Sequence, residues 1–460
     1  MKPSPANERW LLRGMWALAL IYTWWLLRWS VGPDHFFFAD DWDWMYRAAV
    51  LTFHEQFSVL PRYPMNDRPV GALAFRVLYR LFGLDPVPFH WLSLGLHLAN
   101  MTMLLLVARR LIASRWVAAA IALAYGTWSA ANEGATWAAD IFDVLGAALI
   151  LAVMLTFSSR RWGVRLASVL LFFVALRTKE TAIVLPAMLL VWVLVCHHRR
   201  EWLREAKLTL WPHFLLAAVF VALYIPLLAE HQRVEDTSNP YRMDFSTRAF
   251  GEGLYFYVSR MLYGPPWPVG RLIRWTVAMS ALTMGIAWRV RATLVGLAGF
   301  VIFLLPVIFL SHQRQEMYLY IPAACFVLAL GGAAEAAAAR LRVSAEWRES
   351  AAVAMMLLCV AALPHWAHMR TRAAWLLSHT SQARKDLDTF RAHVGSLRPN
   401  ARIVLMGFPD DYHVFQTPGC SVLKVLYKVD PVRCEFTDDT AGADVVVVWR
   451  REGIEVTAAK

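Results

Sequence analysis

The chain has 460 residues, of which 58% are hydrophobic and only 17% charged, and it carries a formal net charge of +12. A soluble domain of that length holds nearer a quarter charged residues, and the mean hydropathy of +0.42 agrees, so the composition excludes an ordinary soluble protein. The basic residues cluster between apolar runs instead of lining one face, which sets aside a nucleic-acid partner. The 22 Trp residues suit the headgroup region, where an indole buries its ring and keeps its N–H wet.

A bilayer core needs about 20 apolar residues per helix. Taken in chain order, the candidate spans are 11–29, 89–108, 116–132, 139–157, 163–177, 181–197, 208–229, 271–288, 293–311, 317–334 and 350–366. The expected architecture is an all-α polytopic membrane protein of about eleven transmembrane helices over residues 1–366, with a small soluble α/β domain over 367–460. The first apolar run lacks a small-residue cleavage site and is expected to stay as a helix. Five short loops hold fifteen basic residues, and the three short loops of opposite parity hold only Arg177, Lys179 and Arg314. By the positive-inside rule the N-terminus is cytoplasmic and the C-terminal domain extracytoplasmic, in a bacterial inner membrane.

Two outer loops are long, 30–88 and 230–270. Pro69 to Phe82 alternates Leu73, Phe75, Val77, Leu78, Leu81 and Phe82 with Arg76 and Arg80, the pattern of a helix lying in the membrane interface. The second loop holds His231-Gln-Arg-Val-Glu-Asp and the helix-breaking Tyr263-Gly-Pro-Pro-Trp-Pro. Beyond residue 367, a polar helix is expected over 370–397, then strands at 401–406, 422–427 and 443–449, with a Gly-Phe-Pro-Asp-Asp turn after the first. Cys196, Cys325 and Cys359 sit in apolar runs; Cys420 and Cys434 could pair if their domain is outside the cytosol.

Charges in or beside a bilayer are costly and therefore functional candidates. Asp40, Asp41 and Asp43 follow the first span in Phe-Ala-Asp-Asp-Trp-Asp-Trp. They could take a proton from an acceptor hydroxyl, and Asp40 and Asp41 are the expected ligands of a divalent cation, magnesium or manganese, should one bind. They could equally be a solvated loop start between Trp anchors. Glu133, Asp140 and Asp143 lie around the outer ends of spans three and four, as site acids or as interhelical partners. Arg177-Thr-Lys179-Glu180 closes span five, where its cations suit a lipid phosphate, or where Lys179 and Glu180 neutralise each other in an anchor. Arg314 and Glu316 pose the same choice before span ten. His90, His97 and Asn100 share span two and are expected to hydrogen-bond between helices. No P-loop, dinucleotide turn or nucleophile elbow is present. Polar residues thus gather at the outer helix ends, whereas transporters place them at mid-membrane.

These motifs resemble the GT-C glycosyltransferases, specifically the protein O-mannosyltransferase-like branch. The resemblance rests on the acidic pair, Asn66-Asp-Arg68-Pro-Val-Gly, Leu81-Phe-Gly-Leu-Asp-Pro-Val-Pro-Phe-His90, Leu96-His97-Leu-Ala-Asn100, Asn132-Glu133-Gly-Ala-Thr-Trp, Thr178-Lys179-Glu180 and Glu316-Met-Tyr318-Leu-Tyr-Ile-Pro322, and covers roughly residues 10–335. It departs at Met317, where the motif has Arg, and at Asp140, where related chains tend to have Arg; no tetratricopeptide repeats follow. The resemblance implies a transferase that takes sugar from a polyprenyl-phosphate donor to an acceptor protein, lipid or glycan. Asp41, or Asp40, would be the base, with Glu133 beside them. Lys179, Arg177 and Arg314 would stabilise the leaving phosphate. Asp43, Arg68, His97, Asp140, Asp143, Glu180, Glu316 and Tyr318 would line the cavity, and an inverting displacement would need base and cations to face each other. A flippase for lipid-linked saccharide and a non-catalytic envelope-assembly protein are the rival readings.

Overall fold

The computed structural model describes the chain apart from residues 1–4, 64–65, 234–240, 263–267, 345–346, 348–362, 409–414, 416–419, 451–452 and 459–460. The chain forms two compact units. One takes Met1–Leu27, Val59–Arg68 and Ser93–Met369; the other takes Arg28–Ser58, Pro69–Leu92 and Arg370–Lys460.

The first unit is helical. Its helices include α1 Pro5–Leu27, α5 Val87–Ala108, α6 Arg115–Thr127, α7 Ser129–Thr136, α8 Ile141–Thr156, α9 Trp162–Leu176 and α10 Leu185–Cys196. They continue with α11 Arg199–Glu205, α12 Trp211–Arg233, α13 Thr247–Met261, α14 Pro268–Ala287, α15 Arg291–Leu304 and α16 Tyr320–Arg340. Among the described residues five helices are long and apolar enough to cross a membrane, or six if the pair Trp275–Ala287 and Arg291–Leu304, bent by 117°, is one broken span. The chain is an integral membrane protein. Ten of the eleven candidate spans fall on helices, although those at 116–132, 163–177 and 181–197 are shorter than a full crossing, and those at 271–288 and 293–311 are the bent pair that makes at most one span. The last candidate lies almost wholly outside the described residues.

Local chemistry sets several boundaries. The Ser114 and Ser246 hydroxyls accept the Val117 and Ala249 N–H groups at 3.3 and 3.1 Å, capping α6 and α13. Small residues let α15 and α16 approach closely: a methyl at Gly296 would fall 2.5 Å from the Cys325 carbonyl oxygen. The Thr293 hydroxyl donates to Ala329 O at 3.1 Å across that contact. In the second long loop α12 carries through His231-Gln-Arg, and α13 lies before the proline-rich stretch. Val234-Glu-Asp and nearly all of the proline-rich stretch lie outside the described residues.

The second unit joins the first long loop to the C-terminal residues. Its loop part holds α2 Asp41–Ala49, α3 Phe53–Gln56 and α4 Pro69–Phe82. The helix expected at Pro69–Phe82 is present as α4; it buries Ala72, Phe75 and Arg76 and exposes Leu73, Val77 and Leu81. The C-terminal part holds most of the long helix Leu363–His393, a short helix Ser421–Tyr427, and a sheet ordered β2-β1-β3-β4. Here β1 is Arg402–Met406, β2 Arg433–Phe436, β3 Val445–Arg450 and β4 Gly453–Ala458; β1 runs parallel to β2 and β3, and β4 is antiparallel to β3.

One strand expectation fails. Residues 421–427 form a helix, because Val422, Val425 and Leu426 also fit a helical face and a short apolar run does not distinguish the two periods. Strands β2 and β4 differ from the expectation: β2 is four residues long with alternate charges at an edge, and β4 mixes Glu455 and Thr457 with few apolar residues. Cys420 and Cys434 are joined in a disulfide with a Cα–Cα distance of 5.6 Å. The two parts of this unit are tied by side chains: the Tyr46 hydroxyl donates to Asp430 at 2.7 Å, the Lys424 ammonium meets Asp430 at 2.8 Å, and Thr380 and Arg384 donate to the Asp34 and Pro33 carbonyls at 3.2 Å.

Candidate functional site

The break between α9 and α10 builds the cationic centre of the first unit. Helix α9 ends at Leu176, the Thr178 hydroxyl donates back to Val174 O at 2.7 Å, and Lys179 adopts an extended backbone before the tight turn Glu180–Val184. An extended residue between two helical segments throws its side chain off both axes. The Lys179 ammonium donates to Asp143, in the first turn of α8, at 2.7 Å. Both side chains are almost fully buried, exposed by 3% and 9%. Gly146, one turn beyond Asp143, makes room for it, since a methyl there would lie 3.2 Å from Lys179 Cβ.

Beside this pair the Arg68 guanidinium grips Glu180, with Nε and Nη2 each 3.0 Å from a carboxylate oxygen. That two-nitrogen geometry fixes the guanidinium plane. Arg68 also lies over the Phe142 ring at 5.4 Å, and Lys179 over Tyr318 at 5.4 Å. A third buried pair joins Arg177 to Asp67 at 3.1 Å, and Arg177 also reaches Leu60 O at 3.4 Å.

Three of these charged residues, Arg68, Lys179 and Glu180, line a cavity of about 260 Å³. Arg68, Lys179, Glu180 and Tyr318 form its polar end, while Phe220, Tyr224 and Leu228 of α12 and Val307 and Leu310 line its apolar length.

The structure corrects one sequence alternative. Lys179 and Glu180 do not neutralise each other; each takes a partner from another segment. Arg314 pairs with Glu252 at 3.1 Å and Glu316 with Arg260 at 3.1 Å, and neither lines this cavity, whereas Tyr318 does. Glu133 sits on α7, and Asp140 is buried at the start of α8. His97 bonds the Tyr320 hydroxyl at 2.7 Å and Gly126 O at 3.1 Å, and Asn100 donates to Val144 O and Tyr320, the expected interhelical role. Sequence reading missed Asp67, although it stands in the same motif as Arg68. It missed Tyr241, which also lines the cavity, and the α12 wall, neither of which carries a charge pattern.

In the second unit, Asp40 is exposed at the N-terminal cap of α2 and Asp41 is buried, its carboxylate accepting the Phe38 N–H at 3.0 Å. Ala39 before them has φ of 49°, a left-handed conformation that a non-glycine residue adopts at a cost and that clusters at functional sites. Asp43 pairs with Arg47 at 3.0 Å. Hydrogen bonds from Lys424 and Tyr46 hold the Asp430 carboxyl below its usual range. Burial and Asp430 push the Tyr46 phenol up to about 12. Among the described residues no group of three or more His, Cys, Asp or Glu could hold a metal ion. Asp40 and Asp41 thus make a donor set of two, which does not fit a metal site built by this chain alone.

Residues 64–229 match the family of dolichyl-phosphate-mannose-protein mannosyltransferases. The crystal structure of ArnT from Cupriavidus metallidurans bound to undecaprenyl phosphate superposes with a TM-score of 0.53 at 16% identity, over 95% of this chain and 87% of that one. Its apo form gives the same score over 96% and 93%. The chain has the GT-C fold. Other GT-C relatives agree in part. Protein O-mannosyl-transferase Tmtc1 of Drosophila melanogaster is 30% identical over 120 residues, a stretch that is 25% of this chain and only 14% of that protein. The arabinofuranosyltransferase AftD from Mycobacteria matches with a TM-score of 0.50 and 15% identity, over 96% of this chain and 35% of that one. The family match takes in Arg68, Glu133, Asp143, Lys179, Glu180 and α12, so most of the cavity lies in the segment shared with the mannosyltransferases.

Proposed function

We propose that the chain is a glycosyltransferase that moves a sugar from a polyprenyl-phosphate donor to an acceptor hydroxyl at the outer face of a bacterial inner membrane. The observation that carries this reading is the cavity with a cationic end and apolar walls. An isoprenoid chain is a long hydrocarbon ending in a phosphate. Phe220, Tyr224, Leu228, Val307 and Leu310 suit the hydrocarbon, and Arg68 and Lys179 suit the phosphate. The likeness to an ArnT that binds undecaprenyl phosphate supports the same donor class.

The carboxylates have a part in this. A lone ammonium or guanidinium is costly in a low-dielectric setting, and Asp143 and Glu180 keep Lys179 and Arg68 charged and in place. Lys179 has three N–H donors and gives one to Asp143. Arg68 turns Nε and Nη2 to Glu180, leaving Nη1 for a ligand oxygen. In transfer, the acceptor oxygen loses its proton and bonds to the anomeric carbon, the carbon–oxygen bond to phosphate breaks, and the leaving phosphate gathers charge. Donors already fixed where that charge grows lower the barrier. We assign the acceptor's proton to Asp41 or Asp40, and the N-terminus to the cytoplasm. The Cys420–Cys434 bridge favours an oxidising compartment for the second unit.

The test uses the full chain reconstituted in lipid with a labelled polyprenyl-phosphate sugar. Lys179→Met should weaken donor binding by at least tenfold, and Asp41→Asn and Asp40→Asn should keep binding while one of them loses turnover. Unchanged donor binding in both Lys179→Met and Arg68→Gln would remove the basis of the proposal.

A further inference from the structure

The first unit holds a second cavity, of about 430 Å³, lined by Arg110, Ser158, Ser159, Trp192, Cys196 and Arg291 among others. It lies where α8 ends, α9 begins and α10 ends, whereas Asp143, Arg177 and Glu180 stand at the opposite ends of those helices. At 1.5 Å per residue, the 15-residue α9 separates the two sites by roughly 22 Å. This cavity is therefore no part of the donor site.

Its chemistry is that of an anion receptor. Arg110 donates to the Met154 and Leu155 carbonyls at 3.1 and 2.6 Å, which anchors its guanidinium at the C-terminal end of α8 and leaves further N–H donors. Among the described residues Arg291 makes no hydrogen bond or ion pair, and neither arginine meets a carboxylate. Two uncompensated guanidiniums beside one cavity with two serine hydroxyls form a concave cationic surface of the size that takes a small polar group. The flanks are apolar. Trp162, Leu166 and Leu170 on α9 and Leu194 on α10 are exposed by 72%, 48%, 57% and 41%. None of the four lines the cavity, but they make the exposed surfaces of these two helices apolar.

We propose that this cavity binds the phosphodiester head group of an anionic phospholipid, with Arg110 and Arg291 on the phosphate, the serines on the polar head, and the acyl chains against the exposed apolar surfaces of the neighbouring helices. The site holds a membrane lipid at the arginine-rich end of the helices, independently of the donor.

The test is thermal unfolding of the full chain in neutral detergent, titrated with phosphatidylglycerol, phosphatidylcholine or inorganic phosphate. Phosphatidylglycerol should raise the midpoint saturably and phosphatidylcholine should not. Near a membrane surface each basic residue contributes about fivefold in affinity. Arg291→Gln should therefore raise the half-saturating lipid concentration about fivefold, and Arg110→Gln with Arg291→Gln about 25-fold. Arg200→Gln with Arg204→Gln, basic residues that do not line the cavity, should leave it unchanged. If the double variant fails to fold, Arg291→Gln alone decides, because among the described residues that side chain holds no hydrogen bond or ion pair. An equal response to phosphatidylcholine, an unchanged titration in Arg291→Gln, or an equal loss in the Arg200/Arg204 control overturns the proposal. So does inorganic phosphate reproducing the full shift, which would make this a site for a soluble anion.

Discussion

The Lys179–Asp143 pair allows the most searching test of the polar centre. The two charges lie 2.7 Å apart with side chains exposed by 3% and 9%. At an effective dielectric of about 20 their gross attraction is about 6 kcal/mol. Desolvation of each ion costs several kcal/mol, so the intact pair is close to neutral for stability. Removing one partner is different, because the other stays buried without compensation. Asp143→Leu and Lys179→Met should each destabilise the membrane unit by about 3–5 kcal/mol. The double variant Lys179→Met/Asp143→Leu leaves no charge and should recover most of that loss. The measurement is a double-mutant cycle by reversible unfolding in mixed micelles, which isolates the coupling if each single change removes only this contact. Single losses below about 1 kcal/mol, or a double loss equal to their sum, would refute the claim that the centre is a dry, mutually dependent pair. Activity gives a separate readout, because the stable double variant should still fail to bind donor.

Three further outcomes follow from other contacts. Arg68→Lys keeps the charge but loses the two-nitrogen grip on Glu180, and donor affinity should fall by about 1.5–3 kcal/mol in an equilibrium binding assay. Cys434→Ser opens a loop of sequence separation 14 and should lower the stability of the second unit by about 3 kcal/mol, with dithiothreitol reproducing the loss in the native chain and adding nothing in the variant. His35 is stacked on His90 with ring centres 4.0 Å apart, and burial lowers its pKa from 6.5 to about 4, against the bond to Ser30 O. The unfolded chain therefore takes the proton first. The contribution of His35 is complete above pH 6.5 and is lost as pH falls towards 4, about 3 kcal/mol in all. A slope of stability against pH in that window should flatten in His35→Gln, and an unchanged slope would place the titration elsewhere.

What the sequence made legible was whatever lies within one segment. The apolar runs marked the helices of the membrane unit, and the alternation of Leu, Val and Arg from Pro69 to Phe82 gave α4 to the residue. The motif Thr178-Lys179-Glu180 pointed to the polar centre. What it could not carry was partnership across the chain. Glu180 meets Arg68 from 112 residues away and Lys179 meets Asp143 from 36, and no local pattern encodes either choice. The helix at Ser421–Tyr427 was misread for a related reason. Seven residues hold too few turns for the helical period to show, and their packing against α2, not their order, settles the conformation.

The second unit also bears on how the protein is made. Its pieces, Arg28–Ser58, Pro69–Leu92 and Arg370–Lys460, are separated by almost the whole membrane unit. The Tyr46–Asp430 bond closes a gap of 384 residues. At a synthesis rate of about 5–20 residues per second, the first long loop waits tens of seconds for Arg384 and Trp375, which pack on Phe36 and Phe38. During that interval its aromatic side chains stand exposed beside the bilayer, a surface for membrane or chaperone to shield. A chain cut short before residue 370 would keep that surface open permanently, and a ribosome stalled there would display it.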